Sequence, residues 1–307
     1  MSGGYFDLQV NGYGGIDFNK DDLTAEELHA ACQRMEADGV AAALATIITE
    51  KIETMCLRLS RLAKLRDADP LAKRLILGLH IEGPFLNETP GYRGAHPPDA
   101  IHPANMDEMK RLLDAAQGLT RIVTLAPERD ESLRVTKMLA KEGVIVSGGH
   151  CDANLEQLRG AVDAGLKMYT HLGNGCPMQM HCHDNIIQRV LSLADRVWIT
   201  FIADGVHVNF FALKNYLKAA GLERCVIVTD AIAPAGLGPG RYTLGRWDLL
   251  IGDDMVARAP DGSHLVGSAM SMKQAEANLL KHVGLSAAQI KMVTSENPRR
   301  AIEMPLH

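Results

Sequence analysis

No stretch of this 307-residue chain approaches the roughly 18 consecutive apolar residues that a membrane-spanning helix requires, although 47% of its residues are hydrophobic. Its first residues, MSGGYFDLQVNG, have neither the basic start nor the apolar segment of a secretory signal, so a soluble, unexported protein with no membrane partner is expected. Runs of like charge are missing too. The 32 Lys and Arg are interspersed with 37 Asp and Glu, giving a formal charge of -5 and a pI near 6.2. No surface suited to nucleic acid follows from that balance. The six cysteines (Cys32, Cys56, Cys151, Cys176, Cys182, Cys225) include no CxxC pair, and a chain this long needs no disulfide staples, which reads as a reducing cytoplasm. Internal repeats, low-complexity segments and linker-like shifts in composition are also lacking. Residues 1–307 therefore read as a single domain.

What is present is an alternation. Eight short, β-branched apolar runs are predicted strands: Phe6 to Val10, Ala42 to Ile48, Leu75 to Ile81, Arg121 to Ala126, Val144 to Ser147, Lys167 to Thr170, Trp198 to Ile202 and Cys225 to Thr229. Between them lie segments with helical spacing, including Thr24 to Ala37, Ile52 to Ala68, Met106 to Ala116, Glu131 to Glu142, Leu155 to Ala164 and Phe210 to Ala220. Strands this continuously apolar, each followed by a crossover, point to an α/β fold of the closed (β/α)8 TIM-barrel type; a doubly wound open sheet would have fewer strands. Two segments interrupt the alternation, both after strands: the loop PFLNETPGYRGAHPPDAIHP, and the stretch from Ala231 to Met272. The second reads as a β-hairpin insertion after strand eight, with strand-like pieces at Arg241 to Leu244 and Trp247 to Ile251.

Polar residues recur at the C-terminal ends of these strands, where barrels build their sites. They are Gln9 and Asn11, Glu82, Glu128, His150, His171, Asp204 and His207, and Asp230. A lone histidine at a strand end is more often structural than a ligand. Strands three, five, six and eight of a closed barrel, however, point into one mouth, so Glu82, His150, His171 and Asp230 converge. Two imidazoles and a carboxylate form a three-ligand set with an open position that water fills, suited to one Zn²⁺, with Fe²⁺, Co²⁺ or Mn²⁺ as alternatives. Asp230, ending the aliphatic run VIVTDA, is the expected general base; its bland alternative is a turn cap. His207 is expected to hold a substrate hydroxyl or to satisfy its own loop. Glu128 reads either as a carboxylate that supports a ligand from behind or as a loop anchor, and is left out of the site.

The segments DLQVNGYGGIDFN, GLHIEGPFLN, RGAHP, VSGGHCDAN, THLGN, IADGVH, VTDAIAPAGL and LVGSAMSM resemble, in order, the signature blocks of the N-acetylglucosamine-6-phosphate deacetylase family of the amidohydrolase superfamily, from about Phe6 to Pro298. The resemblance implies hydrolytic deacetylation of an N-acetyl amino sugar, with a divalent metal held by Glu82, His150 and His171 and with Asp230 as the catalytic aspartate. It further implies substrate contacts at His96, Asn174, Gly175, His207 and the backbone near Val266, with His96 polarising the acetyl carbonyl. Many superfamily relatives open with HxH, which binds another metal. Here that position reads Gln9-Val10-Asn11, and neutral amides are poor ligands, so one metal is expected.

Two departures from the family pattern stand out. Where the family carries an arginine that reaches the sugar phosphate of a neighbouring subunit, this chain has Cys182, flanked by His181 and His183, with Arg189 further on. Cysteine cannot supply an arginine's bidentate fork. The substrate is accordingly read as N-acetylglucosamine 6-phosphate, with a non-phosphorylated N-acetyl amino sugar or other small acylated amine, or a catalytically silent sugar-binding barrel, as alternatives. The second departure is the family's small β-sandwich, built from both chain ends, for which no counterpart is expected; a homodimer is expected by resemblance.

Overall fold

The computed structural model describes residues 4–259 and 265–303. Its main sheet has eight parallel strands in chain order: β1 (Tyr5–Val10), β2 (Val40–Ile48), β3 (Ile76–Glu82), β4 (Thr120–Leu125), β5 (Ile145–Gly148), β6 (Leu166–Tyr169), β7 (Trp198–Ile202) and β8 (Cys225–Val228). Helices cover the outside, and all four residues of β8 and all but one of β2 are buried, which is why these strands read as nearly unbroken apolar runs. The expected (β/α)8 barrel is the fold, and the eight strands lie where the sequence places them. Among the described residues no helix is long and apolar enough to cross a membrane. All six cysteines are free.

The barrel closes between β1 and β8 largely through a side chain. Beyond the Val10–Ala231 bridge, the Asp7 carboxylate accepts from Thr229 N at 3.2 Å and from Thr229 Oγ1 at 2.5 Å. Asp7 is 1% exposed, and burial pushes its carboxyl up to about 7 against the hydrogen bonds from Thr229 and Gln9. A second polar layer lies within the barrel. His80, two residues before Glu82 and so on the same face, places Nδ1 3.2 Å from the Leu8 carbonyl and Nε2 2.8 Å from Thr124 Oγ1. Thr124, Thr170 and Ser147 then link their hydroxyls at 2.7 and 2.6 Å. Burial brings His80 down to about 4, so this imidazole is neutral and joins β1, β3 and β4 without charge.

Helix α1 (Ala25–Ala37) shows how the outer layer is written: Leu28, Ala31, Cys32 and Met35 form its buried stripe, and Thr24 with Glu27 makes a capping box. Helices α2 (Ile52–Ala68), α3 (Pro70–Leu75) and α4 (Met106–Ala115) follow. The helix expected over Glu131 to Glu142 starts later, as α5 (Arg134–Lys141). Ser132 and Leu133 adopt left-handed φ of 55° and 54°, and the Asp130 carboxylate caps the helix by accepting from Val135 N and Thr136 N at 3.1 and 2.7 Å.

After β8, the insertion forms a three-stranded antiparallel sheet, β9 (Gly240–Leu244), β10 (Trp247–Ile251) and β11 (Ala257–Arg258). The expected hairpin is present, with a third strand added through the Leu250–Arg258 and Ile251–Ala257 pairs. Leu244, Leu249, Ile251 and Ala257 pack with Ile48, Ile232 and Val266 in a small apolar cluster of their own.

Because Asp7 binds its proton more tightly in the folded than in the unfolded chain, its contribution to stability falls as pH rises from about 4 through about 7 and is constant above that. Denaturant unfolding at pH 5 and pH 8 should therefore show wild type losing about 3 kcal/mol relative to Asp7→Asn over that interval. Parallel pH profiles for the two proteins would show that Asp7 is not protonated in the fold.

Candidate active site

Among the described residues, three of the eight left-handed non-glycine positions are His150 (φ 50°), His171 (φ 32°) and Asp230 (φ 51°), each just past the end of its strand. Such a conformation costs about 1–3 kcal/mol and persists only where the surroundings enforce it. They do so at each position. The His150 carbonyl accepts from Asn87 N at 3.0 Å, His171 N donates to Thr200 Oγ1 at 2.7 Å, and the Asp230 carbonyl accepts from Ser268 N at 3.0 Å. The chain curls at these points and its side chains turn into the mouth instead of continuing the strand's alternation.

Glu82 extends from the end of β3 into the same place. Its Oε1 lies 3.0 Å from His171 Nε2 and 3.5 Å from His150 Nε2, and one ligating atom from each of the three residues fits within 4.8 Å of the others. His150 Nδ1 donates to the Tyr92 carbonyl at 2.8 Å, which fixes the ring with Nε2 toward Glu82. Two glycines make room for this ring: a Cβ on Gly94 would lie 2.9 Å from His150 Cε1, and one on Gly175 2.8 Å from His150 Nδ1. Burial pushes the Glu82 carboxyl up, but hydrogen bonds from His150 and His171 outweigh it and hold the group well below the usual carboxylate range. The trio is buried, converges on one point and is the donor mixture of a catalytic zinc site; these residues fit a divalent metal. His96 completes the wall, its Nε2 3.3 Å from His150 Nε2, and burial brings it down to about 3, so it is neutral and can donate an N–H.

Asp230 faces this cluster. Its carboxyl is raised to about 6 by burial and then by the charge of Glu82, against His171, His207 and a hydrogen bond from Asn11 Nδ2 at 2.7 Å. Gln9 Nε2 donates to Glu82 Oε1 at 3.2 Å. His207 is oriented by Asp204, whose Oδ2 lies 2.5 Å from His207 Nδ1 while its Oδ1 accepts from Val206 N and His207 N at 2.9 Å. Glu128 anchors loops, as the sequence suggested, accepting from Asn87 Nδ2 at 2.9 Å and Asp152 N at 2.6 Å.

A cavity open at its mouth is lined by Asn11, Ile48, Glu82, Gly94, Ala95, His96, His150, His171, Asn174, His207, Asp230, Leu244, Leu265 and Gly267. Asn174 is therefore on the wall, whereas Gly175 buttresses His150 from behind. Val266 is fully buried in the small apolar cluster and its N–H is taken by the Ala257 carbonyl; its neighbours Leu265 and Gly267 reach the cavity. Ile48 and Leu244 escaped the sequence reading because both look like ordinary strand residues. Of the groups near Cys182, Arg189 is engaged by Asp184 at 2.6 Å, Asp152 at 3.0 Å and the Ala153 carbonyl at 3.2 Å, while His181 Nδ1 accepts from Asp184 N at 2.9 Å. Among the described residues, none that lines the cavity is a lysine or arginine.

Arg246, in the β9–β10 turn, clasps Glu50 with two guanidinium nitrogens and Asp99 with a third, and Gly245 N donates to Asp17 Oδ2 at 2.6 Å. These bonds hold the inserted sheet against the mouth. Limited proteolysis should cut Arg246→Ala within residues 240–258 several-fold faster than wild type, with an unchanged far-ultraviolet spectrum. Equal rates would mean that the apolar cluster alone holds the sheet.

No family model matches the chain. It is 32% identical over 299 residues to an N-acetylgalactosamine-6-phosphate deacetylase from Escherichia coli O157:H7, covering 97% of this chain and 77% of that one. It is 31% identical to an N-acetylglucosamine-6-phosphate deacetylase from Bacillus subtilis (strain 168), covering 97% and 74%. Among solved structures it superposes on an N-acetyl-D-glucosamine-6-phosphate deacetylase variant from Mycobacterium smegmatis, in complex with N-acetyl-D-glucosamine-6-phosphate, with a TM-score of 0.89 at 31% identity, covering 98% and 77%. The corresponding figures for the Thermotoga maritima N-acetylglucosamine-6-phosphate deacetylase are 0.84, 29%, 98% and 78%. With this barrel, this mouth and these relatives, the chain belongs to the family of N-acetylglucosamine-6-phosphate and N-acetylgalactosamine-6-phosphate deacetylases, hydrolases of the amidohydrolase type.

Proposed function

We propose that this enzyme hydrolyses the acetamide of an N-acetyl amino sugar 6-phosphate, of gluco or galacto configuration, releasing acetate and the amino sugar 6-phosphate. The observation that carries the reading is the convergence of Glu82, His150, His171 and Asp230 in one cavity of a chain with this kinship. Glu82, His150 and His171 would hold one divalent ion, Zn²⁺ being the best match to two imidazoles and a carboxylate. When bound, such an ion supplies Lewis-acid activation of water and of the acyl oxygen.

The remaining roles belong to the chain. Asp230 takes a proton as water adds to the acyl carbon and returns it to the nitrogen as the C–N bond breaks, work for which a carboxyl raised to about 6 is well placed. Neutral His96 donates its N–H to the acyl oxygen as negative charge develops there. His207, held by Asp204, binds a sugar hydroxyl; Asn174 on the wall, Gly175 through the His150 ring it makes room for, and the backbone either side of Val266 shape the remainder of the subsite. A cytoplasmic homodimer belongs to the same reading. The lack of a lysine or arginine among the described cavity-lining residues and the saturated Arg189 favour a second reading in one respect, that the sugar is not phosphorylated.

Acetate release from N-acetylglucosamine 6-phosphate, N-acetylgalactosamine 6-phosphate and free N-acetylglucosamine, measured with zinc-loaded protein, separates these. A phosphorylated sugar is expected to be preferred by at least about tenfold, and Asp230→Asn to lower kcat by about 10²–10⁴. Preference for the free sugar moves the enzyme to the second reading. Failure to release acetate from all three ends the proposal.

A further inference from the structure

We propose that Asn11 is a positioning residue for this reaction: its side-chain amide fixes Asp230 by one oxygen, Oδ1, so that the other, Oδ2, is the atom that takes and returns the proton. The inference rests on the reading of Asp230 as the proton carrier. Asn11 Nδ2 donates to Asp230 Oδ1 at 2.7 Å, a hydrogen bond strengthened by the charge of its acceptor. Asn11 lines the cavity at 2% exposure. Its own backbone cannot drift, because Asn11 N donates to the Ala231 carbonyl at 2.7 Å and Phe18 N donates to the Asn11 carbonyl at 2.9 Å. Asn11 thus grips both the side chain of Asp230 and the backbone of the residue that follows it.

The way the amide is satisfied separates positioning from simple packing. Donation to a carboxylate fixes which end of the amide faces Asp230, and the opposite atom, Asn11 Oδ1, is buried without a hydrogen-bond partner among the described residues. A buried acceptor left unpaired destabilises the fold, and a residue serving only to fill the space would avoid it. An amide also suits the task chemically. It donates at every pH without titrating, so it does not compete for the proton Asp230 carries, as an imidazole would, and does not repel the carboxylate, as an aspartate would. Two residues earlier, near the end of β1, Gln9 Nε2 donates to Glu82 Oε1 at 3.2 Å, so β1 and the residue that follows it set the positions of both cavity carboxylates, Glu82 and Asp230.

The test is steady-state acetate release by zinc-loaded full-length wild type, Asn11→Ala and Asn11→Asp, with zinc per chain measured on each. Asn11→Asp keeps the shape and loses the donor, and so carries the test if Asn11→Ala does not fold. The expected result is a fall in kcat of about 10–100-fold in each folded variant, with KM within about twofold of wild type and zinc content unchanged. A rise in KM at constant kcat would make Asn11 a substrate contact, and loss of zinc would make it a support for the ligand set; either overturns the proposal, as does an unchanged kcat. If wild type itself releases no acetate, the underlying reading fails; if wild type is active and the variants match it, only the role of Asn11 does.

Discussion

The site depends on one constraint: a buried carboxylate, Glu82, that is met by two imidazoles, with no lysine or arginine partner among the described residues. Burying an ionised carboxylate is costly unless positive charge or hydrogen bonds compensate, and here the compensation comes from His150, His171 and Gln9, all directed at one small volume. Such an arrangement is satisfied best when a cation shares that volume. The neutral state of His96 and the raised carboxyl of Asp230 follow from the same crowding of polar groups in a closed, apolar barrel.

The backbone serves that constraint at every strand end concerned. His150, His171 and Asp230 all sit in left-handed conformations, held by bonds to Asn87, Thr200 and Ser268 from other parts of the chain, and Gly94 and Gly175 are small where the His150 ring requires it. Beneath them, Asp7 draws the barrel seam together and His80 ties three strands without charge. Above them, the inserted sheet is clasped by Arg246 and contributes Leu244 to the cavity wall. The cavity is thus a rigid floor from the barrel with a wall added from outside it.

Most of the floor was legible in the sequence. Continuous β-branched runs mark strands buried on both faces, and β3, β5, β6 and β8 each lead into a polar residue that reaches the mouth, so the positions of Glu82, His150, His171 and Asp230 could be read from the strand pattern. What escaped notice has physical reasons. Helix α3 is a short element opened by Asp69 and Pro70, a signal visible beforehand but easily absorbed into the longer α2. The left-handed pair Ser132 and Leu133 carries no glycine to announce it, so the sequence pattern starts α5 at Glu131, three residues before the helix begins. Ile48 and Leu244 become cavity residues only through tertiary placement, and the saturation of Arg189 by Asp152 and Asp184 depends on a contact with no sequence signature.

Metal stoichiometry tests the central claim most directly. After dialysis against zinc and then against metal-free buffer, elemental analysis should find one zinc per chain in wild type and in Asp230→Asn, and well under one in Glu82→Gln, His150→Ala and His171→Ala. Retention of a full equivalent by the three ligand variants, or its absence from wild type, would contradict the account.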